Sequence, residues 1–231
     1  PTSLPSNYGI GDLGIGAREF VDFLAGCGQK LWQVLPLNPP GYGNSPYQCL
    51  SAFAGNPLLI DIDQLVEKGL LPMQHSDEQP FFPSDRVSFE TVSFYKDQLL
   101  RQAFMEFQNL LPHPEFETFC YKHRLWLDDY CLFRALKSYH DESPWTEWDP
   151  SVSARKSYAL AHYRRLLDED INYHKFLQYL FFRQWMRLKE YANSKGISII
   201  GDLPIYVSHD SSDVWVNPGL FQLDEKGNPL K

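Results

Sequence analysis

The chain has 231 residues, of which 43% are hydrophobic and 22% are charged, as in an average globular protein with one large domain or one domain plus an insertion. Its 21 Lys and Arg residues face 29 Asp and Glu residues, which gives a formal net charge of −8 with the basic residues dispersed. This balance excludes nucleic acid and an anionic membrane surface as expected partners. The aromatic content, 6 Trp, 13 Tyr and 16 Phe, suits a packed core and also offers flat faces to a ring-shaped ligand.

The four cysteines, Cys27, Cys49, Cys120 and Cys131, form no CxxC pair. Because the chain is neither small nor rich in cysteine, we expect reduced thiols rather than disulfides. The opening PTSLPSNYG lacks the basic-then-apolar pattern of a leader peptide, and no run reaches the ~20 apolar residues of a membrane helix. We therefore expect a soluble, cytoplasmic protein without a membrane partner.

The first part of the chain, to about residue 63, predicts one helix and one strand. The helix is indicated by apolar residues at helical spacing that two glycines follow: Ala17, Phe20, Val21 and Leu24, then Gly26 and Gly28. The run KLWQVLPL at 30–37 then predicts a buried strand. A helix, a glycine stop and a buried strand in this order are typical of an α/β fold.

The remaining elements are unevenly distributed. Residues 64–93 are irregular, 94–194 are almost wholly helical, and ISIIGDLPIYV after Gly196 predicts a second buried strand. Aromatic residues at helical spacing in the helical region are expected to lie in the core. Since a barrel or a doubly wound sheet needs more than two strands, we expect this chain to be part of a larger fold.

The segment from Gly9 to Gly14, GIGDLG, matches the GxGxxG pattern of dinucleotide-binding proteins. That site also needs a strand before the glycines and an acidic residue about 20 positions later. Neither is present, since short polar residues and prolines precede the motif and no Asp or Glu occurs between Phe23 and Ile60. We expect a glycine-rich turn that leads into a helix, and we keep a nicotinamide-dependent oxidoreductase only as the third-ranked hypothesis.

The segment GYGNSPYQ at 41–48 directly follows the first predicted strand. Ligands of α/β folds bind at the carboxyl ends of strands, so the position is informative. Its amide, hydroxyl and phenol groups suit a neutral polyhydroxylated ligand. An ordinary surface loop with half-buried tyrosines explains the composition equally well.

Asp202 lies within the second predicted strand, IIGDLPI, and a buried acid needs a partner. It is therefore either an active-site carboxylate at the carboxyl end of the strand or a structural acid. The nearby SHDSSD segment at 208–213 contains the residue types of a catalytic triad, but a triad is assembled in space and not by adjacency. The seven histidines have no metal-ligand spacing, so no metal is expected.

Four long motifs closely resemble the 4-α-glucanotransferases, the amylomaltase or disproportionating enzymes of glycoside hydrolase family 77. They are PTSLPSNYGIGDLG, WQVLPLNPPGYGNSPYQCLSAFAGNPLLID, WLDDYCLFRALK, and FFRQWMRLKEYANSKGISIIGDLPIYVSHDSSDVWVNPGLF. They follow one another in family order, so that the resemblance runs through the whole chain.

The resemblance implies a fold of the α/β class, a (β/α)8 TIM barrel with an inserted, mostly helical subdomain, truncated here at both ends. Residues 1–63 would begin the barrel, with WQVLPL as its strand 2 and the substrate loop after it. Residues 64–175 would form the inserted subdomain, and 176–231 would return to the barrel with ISIIGDLPIYV as strand 3.

The resemblance also implies the chemistry, which is transfer of α-1,4-glucan segments between malto-oligosaccharides by a retaining double displacement. The family's nucleophile and acid/base come from later strands, so no catalytic residue is expected in this chain, and no cofactor is required. Tyr47 would border the sugar at the cleavage subsite, and Asp202 would bond there and orient an arginine beside the nucleophile. Ser45 would contact the acceptor side, and Tyr42 resembles a tyrosine of a secondary glucan-binding groove. The alternative is a non-catalytic glucan-binding fragment or scaffold.

Overall fold

The structure is a computed structural model that describes residues 1–73, 79–110 and 112–230, with Tyr42 described by its backbone alone. The part of the chain that the structure describes is mostly helical, with four short strands. The α-helices are α1 (Ile15–Gly26), α2 (Asp63–Glu67), α3 (Phe89–Asn109), α4 (Pro114–Tyr139), α5 (Pro150–Ser153), α6 (Ser157–Leu166), α7 (Asp168–Ser194) and α8 (Ser212–Val216). The strands are β1 (Leu31–Gln33), β2 (Gln48–Cys49), β3 (Ser198–Ile200) and β4 (Tyr206–Val207). Among the described residues, no helix is long and apolar enough to cross a membrane.

The chain divides into two compact units, each made of three segments. The first unit comprises Pro1–Leu35, Asn56–Glu115 and Leu177–Asp202. The second comprises Pro36–Gly55, Phe116–Phe176 and Leu203–Lys231.

The first unit contains a parallel pair of strands between helices. β1 and β3 pair in parallel, with Leu31 opposite Ser198 and Gln33 opposite Ile200. Helix α1 precedes β1 and buries the side chains of Ala17 and Val21, as the spacing predicted. It ends where Gly28 adopts a φ of +75°, a conformation that glycine takes without steric cost.

The second unit has a core of aromatic and aliphatic side chains around α4. Phe133 packs against Trp148 and Trp215, with ring centroids 5.6 and 5.9 Å away. The indole N–H of Trp215 donates to the Val152 carbonyl at 3.2 Å, so the buried ring leaves no unpaired donor. The aromatic residues at helical spacing on α4 that were expected in the core are Phe119, His123, Trp126, Tyr130 and Phe133. Tyr130 and Phe133 are buried there, and Phe119 and Trp126 pack against the same core partly buried.

The strands are shorter and more exposed than the sequence predicted. β1 spans Leu31–Gln33 instead of 30–37, and Leu31 is exposed. The predicted strand ISIIGDLPIYV is two strands, β3 and β4, that belong to different sheets. Gly201 and Pro204 lie in the interruption, where proline cannot donate to a strand ladder. Since each sheet has two strands among the described residues, Ile200 remains 43% exposed.

Candidate functional site

The carboxyl ends of β1 and β3 lie at one edge of their sheet, because the two strands are parallel. The ladder extends one step past β1, where the Val34 amide donates to the Ile200 carbonyl at 3.0 Å. Asp202 follows at this edge. It lies beyond the strand in a loop and is half-buried, which corrects the expectation of a carboxylate inside a buried strand.

The segment that leaves β1 folds into a tight loop in the second unit. The Gly41 amide donates to the Gln48 carbonyl at 2.6 Å, which closes the loop at its base. At its tip Gly43 and Asn44 both adopt positive φ, +69° and +55°. Asparagine tolerates this region better than most residues do, so the sequence GYGN is suited to the turn.

Ser45 and Tyr47 are brought together within this loop. The Ser45 hydroxyl accepts a hydrogen bond from the Tyr47 amide at 3.3 Å. Tyr47 is 39% exposed, so that part of its phenol ring faces solvent, and Ser45 is half-buried. A partly exposed ring beside a hydroxyl matches the chemistry of a sugar-binding surface. The side chain of Tyr42 lies outside the described residues, and Asp202 belongs to the first unit.

The loop is fixed at its base to the segment that follows β4. β2 pairs in parallel with β4, with Gln48 opposite Tyr206. The Ser208 amide then donates to the Cys49 carbonyl at 3.0 Å, and the Ser212 amide donates to Leu50 at 2.9 Å. These bonds continue the β2–β4 pairing and give the loop a rigid support.

The thiol of Cys49 in β2 is buried, and burial raises its pKa to about 11. It is therefore protonated at neutral pH and unsuited to nucleophilic attack.

The SHDSSD residues hold the chain in place and do not form a triad. The His209 ring donates to the Gly227 carbonyl at 2.6 Å. Ser211 caps α8 by accepting from the Val214 amide at 3.3 Å. Asp210 pairs with Lys137, 2.6 Å away.

The glycines of the GIGDLG motif allow close packing of the protein on itself. A Cβ at Gly9 would collide with the Phe82 ring, and one at Gly11 would collide with the Pro1 carbonyl. A Cβ at Gly14 would lie 2.6 Å from the Asp61 carboxylate. The described residues 1–73, 79–110 and 112–230 contain no group of three His, Cys, Asp or Glu side chains placed to hold a metal.

Three comparisons with known proteins give a consistent result. The family model described as 4-alpha-glucanotransferase, glycoside hydrolase family 77, matches residues 1–229. The chain belongs to this family.

Individual relatives agree with this assignment. A 4-alpha-glucanotransferase of Synechocystis sp. is 50% identical over 227 residues, which cover 97% of this chain and 45% of the relative. The Thermus thermophilus 4-alpha-glucanotransferase is 47% identical over 99% of this chain and 46% of its own length. The chain thus spans about half the length of the curated 4-alpha-glucanotransferases that it matches.

The solved structures extend the agreement to the fold. An amylomaltase from Streptococcus agalactiae in complex with acarbose matches with a TM-score of 0.93 and 40% identity, over 99% of this chain and 47% of that one. The Corynebacterium glutamicum amylomaltase, at 17% identity and a TM-score of 0.66 over 95% of this chain and 31% of that one, supports the fold alone. The predicted family resemblance is therefore confirmed, together with a partial, mostly helical α/β fold.

Two buried lysines near these segments were missed by the sequence analysis. Lys96 on α3 is fully buried in the first unit, and its ammonium donates to the carbonyls of Leu58 and Ile60 at 2.8 and 2.7 Å. Lys137 on α4 is buried in the second unit. The helical spacing of Lys96 after Val92 was a usable signal, because it places the lysine on the buried face.

A carboxylate cluster surrounds Lys96. Burial raises the pKa of Asp12 to about 6 and lowers that of Lys96 to about 8. The Tyr8 hydroxyl donates to Asp63 at 2.6 Å, and burial together with that bond raises the pKa of Tyr8. The cluster joins the glycine-rich N-terminal segment to the residues around α2, which is a structural role.

A groove of about 900 Å³ lies elsewhere in the first unit, between the N-terminal residues and the segment 79–87. The Gln79 amide bridges its two sides by donating to the Asn7 carbonyl at 2.6 Å. Phe81 also lines it and is largely exposed. No sequence motif pointed to this groove.

Proposed function

We propose that the protein carrying this chain is a 4-α-glucanotransferase that moves α-1,4-glucan segments between malto-oligosaccharides. The observation that carries the proposal is the match of the family model to residues 1–229, that is, to nearly the whole chain. The amylomaltase with a TM-score of 0.93 is described in complex with acarbose, which supports a glucan as the ligand class here.

In this proposal the chain supplies sugar-binding groups, and the nucleophile and acid/base lie outside it. β1 and β3 become strands 2 and 3 of a (β/α)8 barrel, residues 64–175 are the inserted subdomain, and 1–63 and 176–231 belong to the barrel. Asp202 at the carboxyl end of β3 is then at the face where barrel enzymes bind substrate.

Each proposed site residue has a distinct task. The Tyr47 ring borders the sugar at the cleavage subsite, and Asp202 accepts hydrogen bonds from sugar hydroxyls and orients an arginine beside the nucleophile. Ser45 contacts the acceptor side, and Tyr42 belongs to a secondary glucan-binding groove. The partly exposed Tyr47 ring and its bond to Ser45 support this arrangement.

The proposed reaction is a retaining double displacement. A carboxylate nucleophile breaks the glycosidic bond and forms a covalent glycosyl-enzyme, while a carboxylic acid protonates the leaving sugar. The 4-hydroxyl of a second glucan then attacks the intermediate in place of water, gives its proton to the carboxylate that had protonated the leaving sugar, and displaces the nucleophile. No cofactor enters this scheme, and the proposed location remains the cytoplasm.

The test is product analysis with the protein expressed from its complete gene and incubated with maltotriose. A glucanotransferase yields a series of longer and shorter malto-oligosaccharides, whereas a hydrolase yields only shorter ones. A non-catalytic glucan-binding protein, the alternative, retains maltotriose without changing it. Recovery of unchanged maltotriose from folded protein would refute the proposal.

A further inference from the structure

Lys137 is a buried cation whose three bonds all lie within the second unit. Its side chain is only 4% exposed. The ammonium donates to the carbonyls of Glu142 and Ser143 at 2.6 and 2.9 Å, and to the Asp210 carboxylate at 2.6 Å. All three protons of the ammonium are thus used, which is what a buried lysine requires.

The two carbonyls belong to a strained turn after α4. Asp141 and Glu142 have φ values of +50° and +59°, in the left-handed region that side chains other than glycine disfavour. Such a turn is stable where surrounding groups hold it in place. Here the hydrogen bonds from the Lys137 ammonium hold the carbonyls of Glu142 and Ser143. Arg134 adds an ion pair to Glu142 at 3.2 Å.

The carboxylate of Asp210 is held from two directions. One oxygen accepts from Lys137, and the other accepts from the Trp145 amide at 3.1 Å. The indole of Trp145 donates to the neighbouring His209 carbonyl at 2.9 Å. Residues 209 and 210 are therefore anchored to α4 and to the turn that follows it.

This anchored segment is also hydrogen-bonded to the chain that follows the loop at 41–48, which contains Tyr47 and is called the Tyr47 loop. Directly before it, the Ser208 amide bonds to the Cys49 carbonyl at 3.0 Å. Directly after it, the Ser212 amide bonds to Leu50 at 2.9 Å, and the Asp213 carboxylate accepts from the Ala52 amide at 3.1 Å. Asp210 thus anchors the middle of the segment 206–213, which is hydrogen-bonded to residues 48–52. The segment 48–52 begins one residue after Tyr47.

We propose that Lys137 and Asp210 are a positioning pair that holds the Tyr47 loop in the geometry that sugar binding requires. The pair touches no substrate and acts only through the backbone ladder between residues 206–213 and 48–52. The inference rests on the proposed function, since it assumes that Tyr47 borders the sugar. The inference gives the SHDSSD segment at 208–213 a positioning role instead of the catalytic role that its triad-like composition suggests.

The test is a double-mutant cycle in the protein expressed from its complete gene. Lys137→Met removes the charge and keeps the length of the side chain, and it is expected to lower kcat/KM for maltotriose transfer by about 10-fold through misplacement of the loop. In a Tyr47→Ala background the same change is expected to cost less than about 2-fold, because the group being positioned is absent. Equal losses in both backgrounds would overturn the proposal.

A matched control separates positioning from general destabilisation. Lys175→Met breaks another Lys–Asp pair of the same unit, with Asp128 at 2.6 Å, and leaves the 206–213 ladder intact. It is expected to retain kcat/KM per folded molecule. A loss equal to that of Lys137→Met would overturn the proposal. Asp210→Asn keeps the acceptor for the Trp145 amide. If Lys137→Met does not fold, Asp210→Asn takes its place in the double-mutant cycle, with the same expected outcomes.

Hydrogen exchange provides a readout that does not depend on activity. Both positioning variants are expected to speed the exchange of the amides at 208 and 212, and the Lys175→Met control is expected to leave it unchanged. Unchanged exchange in the two positioning variants would overturn the proposal. Wild-type protein that has slow exchange at these amides but no transfer activity would refute the proposed function instead.

Discussion

Replacing Asp202 by Asn tests whether this carboxylate acts on the sugar or supports the fold. Asp202 follows β3 in a loop and is half-buried, so its neutral isostere leaves no cavity and no deeply buried unpaired charge. A hydrogen bond to a charged group contributes about 1.5–3 kcal/mol, which corresponds to a loss of roughly 10- to 150-fold in transfer rate. The thermal midpoint should change little, since the isostere keeps the shape of a side chain that is half-buried and lies outside the core.

Lys96→Met is the structural comparator for that experiment. Lys96 is fully buried and donates to the carbonyls of Leu58 and Ile60, both of which lose their partner in the variant. The expected cost is about 3 kcal/mol in the free energy of unfolding, with turnover per folded molecule retained. The assay is the transfer rate on maltotriose beside the thermal midpoint. The reasoning is wrong if Asp202→Asn lowers the midpoint while its folded fraction keeps full turnover.

The remaining predictions concern a titrating acid, two glycines and the loop tyrosine. Since burial raises the pKa of Asp12 from 3.8 to about 6, the wild-type free energy of unfolding should fall, relative to that of Asp12→Asn, by about 2 kcal/mol between pH 4 and pH 6. Parallel pH profiles in chemical denaturation would contradict this. Gly14→Ala should destabilise the fold by about 1–3 kcal/mol because its Cβ would lie 2.6 Å from Asp61. Gly26→Ala in α1 meets open space and should stabilise the fold by up to about 1 kcal/mol. Thermal midpoints check both changes. Tyr47→Ala should lower kcat/KM about 10-fold. Tyr47→Phe should lower it less than about 3-fold, because phenylalanine keeps the ring face. Equal losses in the two variants would show that the hydroxyl and not the ring contributes the effect.

Local patterns in the sequence predicted much of the helical structure. The apolar spacing around Val21 predicted α1, and the long helical region is present, although α3 begins at Phe89 and not at 94. The strands were harder to predict. The apolar run in ISIIGDLPIYV indicates an extended chain, but which partner each part pairs with depends on residues far away in the sequence.

The supports of the loop could not be predicted from the sequence for the same reason. Lys137 and Asp210 are 73 positions apart, and no local pattern connects them. A lysine on an apolar helix face indicates burial but not its acceptors, which here are two turn carbonyls and a distant carboxylate. The loop at 41–48 was expected after the first strand and lies there, whereas Asp202 was expected inside a strand and lies in the loop after β3.

The central claim is that this chain provides sugar-binding groups to an enzyme that passes glucan segments to a sugar hydroxyl and not to water. The most direct measurement incubates the protein, expressed from its complete gene, with unlabelled maltotriose and isotopically labelled glucose as acceptor. Label that enters malto-oligosaccharides, and that declines in Asp202→Asn and Tyr47→Ala, is the predicted result. Label that remains in free glucose while maltotriose is hydrolysed or left intact would contradict the account.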